Sequence, residues 1–127
     1  MKIILALVLS AVVLQKDPTA SDSSAVIVSG GIAVYATLTN PTMYEAYVQS
    51  GTSDAGKVEL READASTPLG KPASNITIPS FGSVDLKAGG PFVLVSELKN
   101  QLKAGDTIKV TLQTDGGVAI AIAATIK

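Results

Sequence analysis

Short runs of alternating apolar and polar residues, cut by turn residues, constrain the fold of this chain more than any other feature. The clearest run is 32–39, where every second residue from Ile32 to Leu38 is apolar and shares one face of an extended strand. Asn40 and Pro41 then end the run, because Pro lacks the N–H that a strand ladder needs. Downstream of residue 24 the sequence has no sustained apolar stripe with the helical period. The pattern therefore predicts an all-β domain.

Further strands are predicted at a spacing typical of an antiparallel sandwich: 43–49, 57–62, 75–78, 83–86, 92–98, 107–114 and 118–126. Asp115-Gly116-Gly117 predicts a tight hairpin, since Asp and Gly tolerate positive φ. Residues 63–74 are predicted to be a loop, and 118–124, apolar on both faces, a central or inter-sheet strand. The side chains expected to point inward are Leu60, Val84, Leu94, Leu98, Val110, Leu112 and Ile120.

The first residues have the features of a secretory signal peptide. Lys2 precedes the apolar run 3–14, which is too short to span a bilayer as a helix. We predict a signal peptide over 1–20, a flexible leader over 21–24 and the folded domain over 25–127. Cleavage is expected after Pro18-Thr19-Ala20 or, alternatively, after Leu9-Ser10-Ala11. A buried strand or helix is the alternative interpretation of the run. No Cys follows it, which argues against a lipid-anchored form, whereas an uncleaved tethered form stays open.

Composition excludes several classes of function. The formal net charge is −1 and the basic residues are scattered, so neither nucleic acid nor a membrane, beyond the signal segment, is an expected partner. The chain has no His and no Cys, which removes the usual general base and the thiol nucleophile. We therefore predict no catalytic residues and no enzymatic activity. The loosely clustered carboxylates are interpreted as a solvated face and not as a metal site: Asp54, Glu59, Glu62 and Asp64.

Several segments, in order and at the expected spacing, resemble the PCuAC-type periplasmic copper chaperones. The closing segment reads Gly89-Gly90-Pro91-Phe92-Val93-Leu94, continues to Leu98-Lys99, and is followed by Leu102-Lys103-Ala104-Gly105-Asp106. Earlier matches are 33–40, the Val-Glu-Leu strand 57–62, Ile76-Thr77-Ile78-Pro79 and 84–90. The resemblance implies a Greek-key β-sandwich of cupredoxin-like or immunoglobulin-like topology in a periplasmic or secreted protein.

The resemblance also implies a Cu(I) site built from two His and two Met. At the corresponding positions this chain has Arg61, Phe92 and Leu94, and the loop Met falls near Pro72, beside Leu69, Gly70 and Lys71. Cu(I) requires imidazole, thioether or thiolate donors. We therefore predict no metal ligands and no cofactor. Met43 is interpreted as a packing residue. Phe92 and Leu94 are expected to form a small apolar patch near one end of the sandwich, or Phe92 to pack into the core.

Three functional hypotheses follow. The first is a copper-chaperone relative that has lost the ion and binds another periplasmic protein or a small ligand without catalysis. The second is an accessory protein in copper delivery to a cuproenzyme. The third is a structural or adhesive sandwich unrelated to copper.

Overall fold

Ten β-strands make up the part of the chain that the computed structural model describes, residues 17–127. They are β1 (Thr19–Val28), β2 (Gly31–Asn40), β3 (Ala46–Thr52), β4 (Lys57–Asp64), β5 (Thr67–Pro72), β6 (Ile76–Ile78), β7 (Gly82–Leu86), β8 (Phe92–Ser96), β9 (Thr107–Thr114) and β10 (Ala119–Thr125). Among these residues, no helix is long and apolar enough to cross a membrane.

The strands form two sheets. The larger sheet has the order β1-β2-β8-β4-β5, and its sixth strand, β7, pairs with residues 36–40 of β2, whereas β8 pairs with residues 32–34. The smaller sheet has the order β10-β9-β3-β6. Every pair of named strands is antiparallel. The all-β, antiparallel sandwich that the sequence predicted is therefore confirmed.

The main core lies between the two sheets. The larger sheet contributes Val34, Leu38, Val93 and Val95, and the smaller sheet contributes residues such as Val48, Val110, Leu112 and Ile120. Val84 and Leu98 are partly buried against this core. Leu94 was expected to point inward, and that prediction is wrong. In β8 both faces are covered, and Leu94 belongs to a second cluster on the other face of the larger sheet.

A seam joins the first and last strands where the sheets meet. Ala25 and Ile126 form a parallel bridge, and the Lys127 N–H donates to the Ala25 carbonyl at 2.9 Å. Ser23 Oγ also donates to the carbonyl of Ala123, at 2.8 Å. These contacts close one side of the sandwich by joining residues 100 or more positions apart in the sequence.

The N-terminal boundary differs from the prediction. Residues 21–24, expected to be a flexible leader, lie in β1, which pairs with β2 from Thr19 to Val28. The segment is polar because β1 is an edge strand, where small polar side chains face solvent on one side. A bulge between Ser21 and Ser24, with Asp22 at φ 51°, breaks the alternation that would have indicated a strand. Residues 1–16, most of the predicted signal peptide, lie outside the described residues.

Candidate functional site

The paired strands β4 and β8 bring together three of the four positions at which the resemblance to PCuAC proteins implies copper ligands. Arg61 lies opposite Phe92 and Glu59 opposite Leu94 in the antiparallel register. Leu60 and Val93, the residues between them, belong to the main core. Since side chains alternate along a strand, the two cross-strand pairs share the outer face of the larger sheet.

Phe92 and Leu94 are buried, but not in the main core. With Ala33 of β2 they form an outer-face cluster, against which Val28, Tyr35 and Leu69 pack. The Tyr35 and Phe92 rings meet edge to face, with centroids 6.2 Å apart and planes at 70°. Only 3% of Phe92 and 5% of Leu94 is exposed. The expected exposed patch is therefore absent among the described residues, whereas the alternative, burial of Phe92 in a hydrophobic core, is confirmed, although that core is the outer-face cluster and not the one between the sheets.

Leu69 reaches this cluster because residues 67–72 form a strand and not the predicted loop. β5 folds back on β4 with Arg61 opposite Pro72 and Glu62 opposite Lys71, after a bulge near Asp64. The hairpin depends on Gly70, whose φ of +67° lies in the left-handed region that disfavours side chains. A Cβ at this position would also overlap the carbonyl oxygen of Glu62.

Arg61 fastens β5 to the rest of the outer face. Its Nε donates to the Leu69 carbonyl at 3.1 Å and its Nη2 to the Gly70 carbonyl at 3.0 Å. Nη1 contacts Glu59 Oε1 at 3.2 Å, and the other oxygen of Glu59 accepts from Ser96 Oγ at 3.1 Å. Only 15% of the Arg61 side chain is exposed. The guanidinium thus has a fixed position beside the aromatic cluster, with its charge balanced by Glu59.

Two open clefts flank Phe92. One, of about 430 Å³, is lined by Ala63, Asp64, Ala65, Thr67, Gly70, Gly89, Gly90 and Phe92. The other, of about 380 Å³, is mainly apolar and is lined by Val28, Ser29, Ala33, Tyr35, Leu69, Ala88 and Phe92. Phe92 lines both clefts, so the surface beside its ring has two open grooves.

The four carboxylates singled out in the sequence are not brought together. Glu59 is paired with Arg61, and Glu62 lies 3.7 Å from the Lys71 ammonium. Asp64 accepts hydrogen bonds from the Ser66 N–H and hydroxyl, which lower the pKa of its carboxyl. Over residues 17–127, no group of three or more His, Cys, Asp or Glu side chains is placed to hold a metal ion. Met43 lies on the loop that follows β2, beyond the opposite end of that strand from Ala33, and is 63% exposed.

Sequence reasoning located Arg61, Phe92 and Leu94 through the resemblance, but it missed Ala33, Tyr35 and Glu59 as members of the same face. The alternation of side chains along β2 could have identified two of them. Ala33 and Tyr35 alternate with the inward residues of β2, and so had to lie on its outer face.

The two-sheet antiparallel fold is that of a PCuAC-type domain. The sequence model of the family described as "Putative lipoprotein LpqE-like" matches residues 11–126, and the chain therefore belongs to this LpqE-like, PCuAC-related family. The family is described as a lipoprotein family, whereas these 127 residues include no Cys. Among curated proteins, no sequence matches the chain significantly.

Solved PCuAC domains have the same fold. The apo PCuAC domain from PmoF1 and the copper-bound PCuAC domain from PmoF2 each superpose with a TM-score of 0.70, at 16% and 15% identity. Both alignments cover 85% of this chain, and 91% and 90% of the respective domains. CuI-DR1885 from Deinococcus radiodurans superposes with a TM-score of 0.66 at 28% identity, over 93% of this chain and 82% of that one.

Proposed function

We propose that this protein is a PCuAC-like domain that has lost Cu(I) binding and serves as a non-enzymatic binding module. One observation supports this most strongly. The positions that would supply Cu(I) ligands hold Arg61, Phe92 and Leu94, and Leu69 of β5 packs against the same cluster. None of these side chains is a soft donor. The guanidinium, already bonded to the Leu69 and Gly70 carbonyls, would add a permanent positive charge beside an ion.

A Cu(I) competition titration tests the proposal. The wild-type chain should lose Cu(I) to a colourimetric chelator. A variant with Arg61→His, Leu69→Met, Phe92→His and Leu94→Met should retain it, because the four positions converge on one face. The matched control keeps Arg61 and carries the other three substitutions. It should bind Cu(I) more weakly, since it has fewer donors and an adjacent cation.

Two results would contradict the proposal or its basis. Tight Cu(I) binding by the wild type would show that the domain still carries copper. Lack of binding by the fourfold variant, with its β-sheet circular dichroism retained, would show that the four positions do not correspond to the family's ligands.

We also propose that the protein is exported, on the basis of Lys2, the apolar run 3–14 and the membership of the LpqE-like family. Cleavage after Ala20 would remove Thr19 and Ala20, the two residues of β1 that pair with Thr39 and Leu38 of β2. The upstream site after Ala11 leaves β1 whole, so we expect intact-mass measurement on native protein to find an N-terminus at Val12. An N-terminus at Ser21 would contradict this choice of site, and Met1 retained in soluble cytoplasmic material would contradict export.

A further inference from the structure

Three large apolar side chains are exposed on two neighbouring loops. Met43 and Tyr44 lie between β2 and β3 and are 63% and 73% exposed, and Phe81 lies between β6 and β7 and is 71% exposed. The loops touch, since the Phe81 N–H donates to the Thr42 carbonyl at 2.9 Å. We call these three residues the tip surface. Exposed apolar residues that cluster in this way mark interaction sites, whereas single ones need no explanation.

The tip surface is held in place by a buried amide. Asn40 is fully buried, and its Nδ2 donates to the carbonyls of Tyr44 at 2.8 Å and Ile78 at 3.2 Å. Its Oδ1 accepts from the Thr42 N–H at 3.0 Å and from the Thr42 hydroxyl at 2.7 Å. One side chain therefore fixes the loop that carries Tyr44 and ties it to the last residue of β6, after which the loop with Phe81 begins. Such pre-ordering reduces the entropy that a binding surface loses on association.

Phe81 is unfavourable for the fold in two respects. Its φ of 52° lies in the left-handed region, where a Phe side chain is strained and Gly or Asn is accommodated. Its ring also faces solvent and adds little to the core. Backbone strain of this kind is concentrated at functional sites. The position therefore points to a role in contacts outside the domain.

The surroundings of Tyr44 are acidic. A cleft of about 230 Å³ beside it is lined by residues that include Asp17, Glu45 and Asp115, and its described lining contains no Lys or Arg. The Tyr47 hydroxyl donates to Glu45 Oε1 at 2.6 Å, and this contact raises the pKa of Tyr47. Glu45 is thereby held at the edge of the tip surface, which combines an apolar centre with a negative rim.

We propose that the tip surface docks a partner protein that presents an apolar pocket rimmed by Lys or Arg. The inference rests on the proposed function, because it names the contact surface of a binding module. Charge complementarity selects the partner. Two copies of this chain meeting through their tip surfaces would oppose like charges, and an anionic lipid surface would repel the same carboxylates.

A random peptide-display library, selected on the full chain, tests the proposal. Enriched peptides should combine apolar or aromatic residues with Lys or Arg. Met43→Ser with Phe81→Asn should lower their affinity by about tenfold or more, as expected for residues at an interface centre. The matched control is Ile27→Ser, which removes another exposed apolar side chain, 52% exposed, on β1. It should leave the affinity unchanged.

A second pair of variants tests the negative rim. Glu45→Lys should weaken binding, and added salt should weaken binding of the wild type. Glu62→Lys makes the same change in net charge but lies on β4, so it should have little effect on peptide affinity. Circular dichroism and unfolding midpoints confirm that each variant is folded.

Several results would overturn the proposal: enrichment of acidic peptides, no enrichment, or equal binding by the Met43→Ser, Phe81→Asn variant.

A wild-type dimer in sedimentation that this variant abolishes would assign the tip surface to a second copy. Tighter peptide binding after deletion of residues 1–16 would assign it to that segment. Binding of the wild type to phosphatidylcholine vesicles, lost in the variant, would assign it to lipid. Tight Cu(I) binding with peptide binding intact would reject the proposed function alone.

Discussion

Arg61 links β4 to β5 and pairs with Glu59 on the outer face. At the position where the resemblance implies a His ligand, the guanidinium of Arg61 makes two hydrogen bonds with the backbone of β5. The larger size and planar fork of Arg allow it to bond two successive carbonyls, which a single imidazole could not do.

Arg61→Met should lower the free energy of unfolding by about 1–3 kcal/mol, because two carbonyls in a half-buried position lose their charged donor. Arg61→Lys keeps the charge but offers one small ammonium in place of the fork, so an intermediate loss is expected. Urea unfolding of the three proteins measures both effects. Stability equal to wild type in Arg61→Lys would show that charge alone, and not the paired geometry, fastens β5.

At Phe81 the prediction has the opposite sign. Phe81→Asn should raise the free energy of unfolding by roughly 0.5–1 kcal/mol, because Asn tolerates the left-handed backbone better than Phe does. Phe81→Ala is the matched control, since it removes the ring and retains the backbone strain. Denaturant unfolding should therefore rank Asn above Ala. If both variants are less stable than wild type by a similar amount, the ring itself contributes to the fold.

The β4–β5 hairpin is the element on which the outer-face cluster depends. Gly70→Ala should destabilise the domain by about 2 kcal/mol or more, from left-handed strain together with overlap of the new methyl with the Glu62 carbonyl. Gly116→Ala provides the control, because a Cβ there meets open space. Thermal unfolding compares the two. A midpoint for Gly70→Ala as high as that for Gly116→Ala would mean that the hairpin accommodates the added methyl group without loss of stability.

Sequence patterns predicted most strands because alternation and turn residues agree in them. They failed at β5, where Pro68, Gly70 and Pro72 in six residues indicate a loop. The strand forms because it lies at the edge of the sheet, where Pro is tolerated and Arg61 supplies bonds from the side. Local sequence carries no sign of that tertiary bond. For the same reason Leu69 could not be identified as the residue that faces Phe92.

The segment 118–124 shows a different limit. Alternating Ala and Ile predicted a central or inter-sheet strand. β10 does contact β1 of the other sheet, but it is not central: it lies at the edge of the smaller sheet, with Ala119, Ala121 and Ala123 exposed. Ala loses little when it faces water, so its apolar character is a weak sign of burial. The resemblance placed Arg61, Phe92 and Leu94 on one face correctly, but not the burial of that face.

For the whole molecule, the two apolar clusters should differ in their contribution to stability. Leu112 is fully buried between the sheets, and Leu112→Ala should cost about 2–5 kcal/mol. Leu94→Ala should fall at or below the low end of that range, since the clefts beside Phe92 let the site relax. Urea unfolding measures the two losses, provided that the dependence of the unfolding free energy on urea concentration is the same in both variants and the wild type. A greater loss for Leu94 would show that the outer-face cluster, and not the inter-sheet core, limits stability.

The bridge between Ala25 and Ile126 determines when folding can finish. The hairpin of β1 and β2 is local and can form early, but closure of the side between β1 and β10 waits for the last residues of the domain. Contacts between such distant positions slow folding. Until Ile126 pairs with Ala25, the folding chain carries unpaired strand edges and an uncovered apolar interior, the two features by which incomplete β-domains associate with one another. A chaperone would therefore matter most to this chain before that last contact forms.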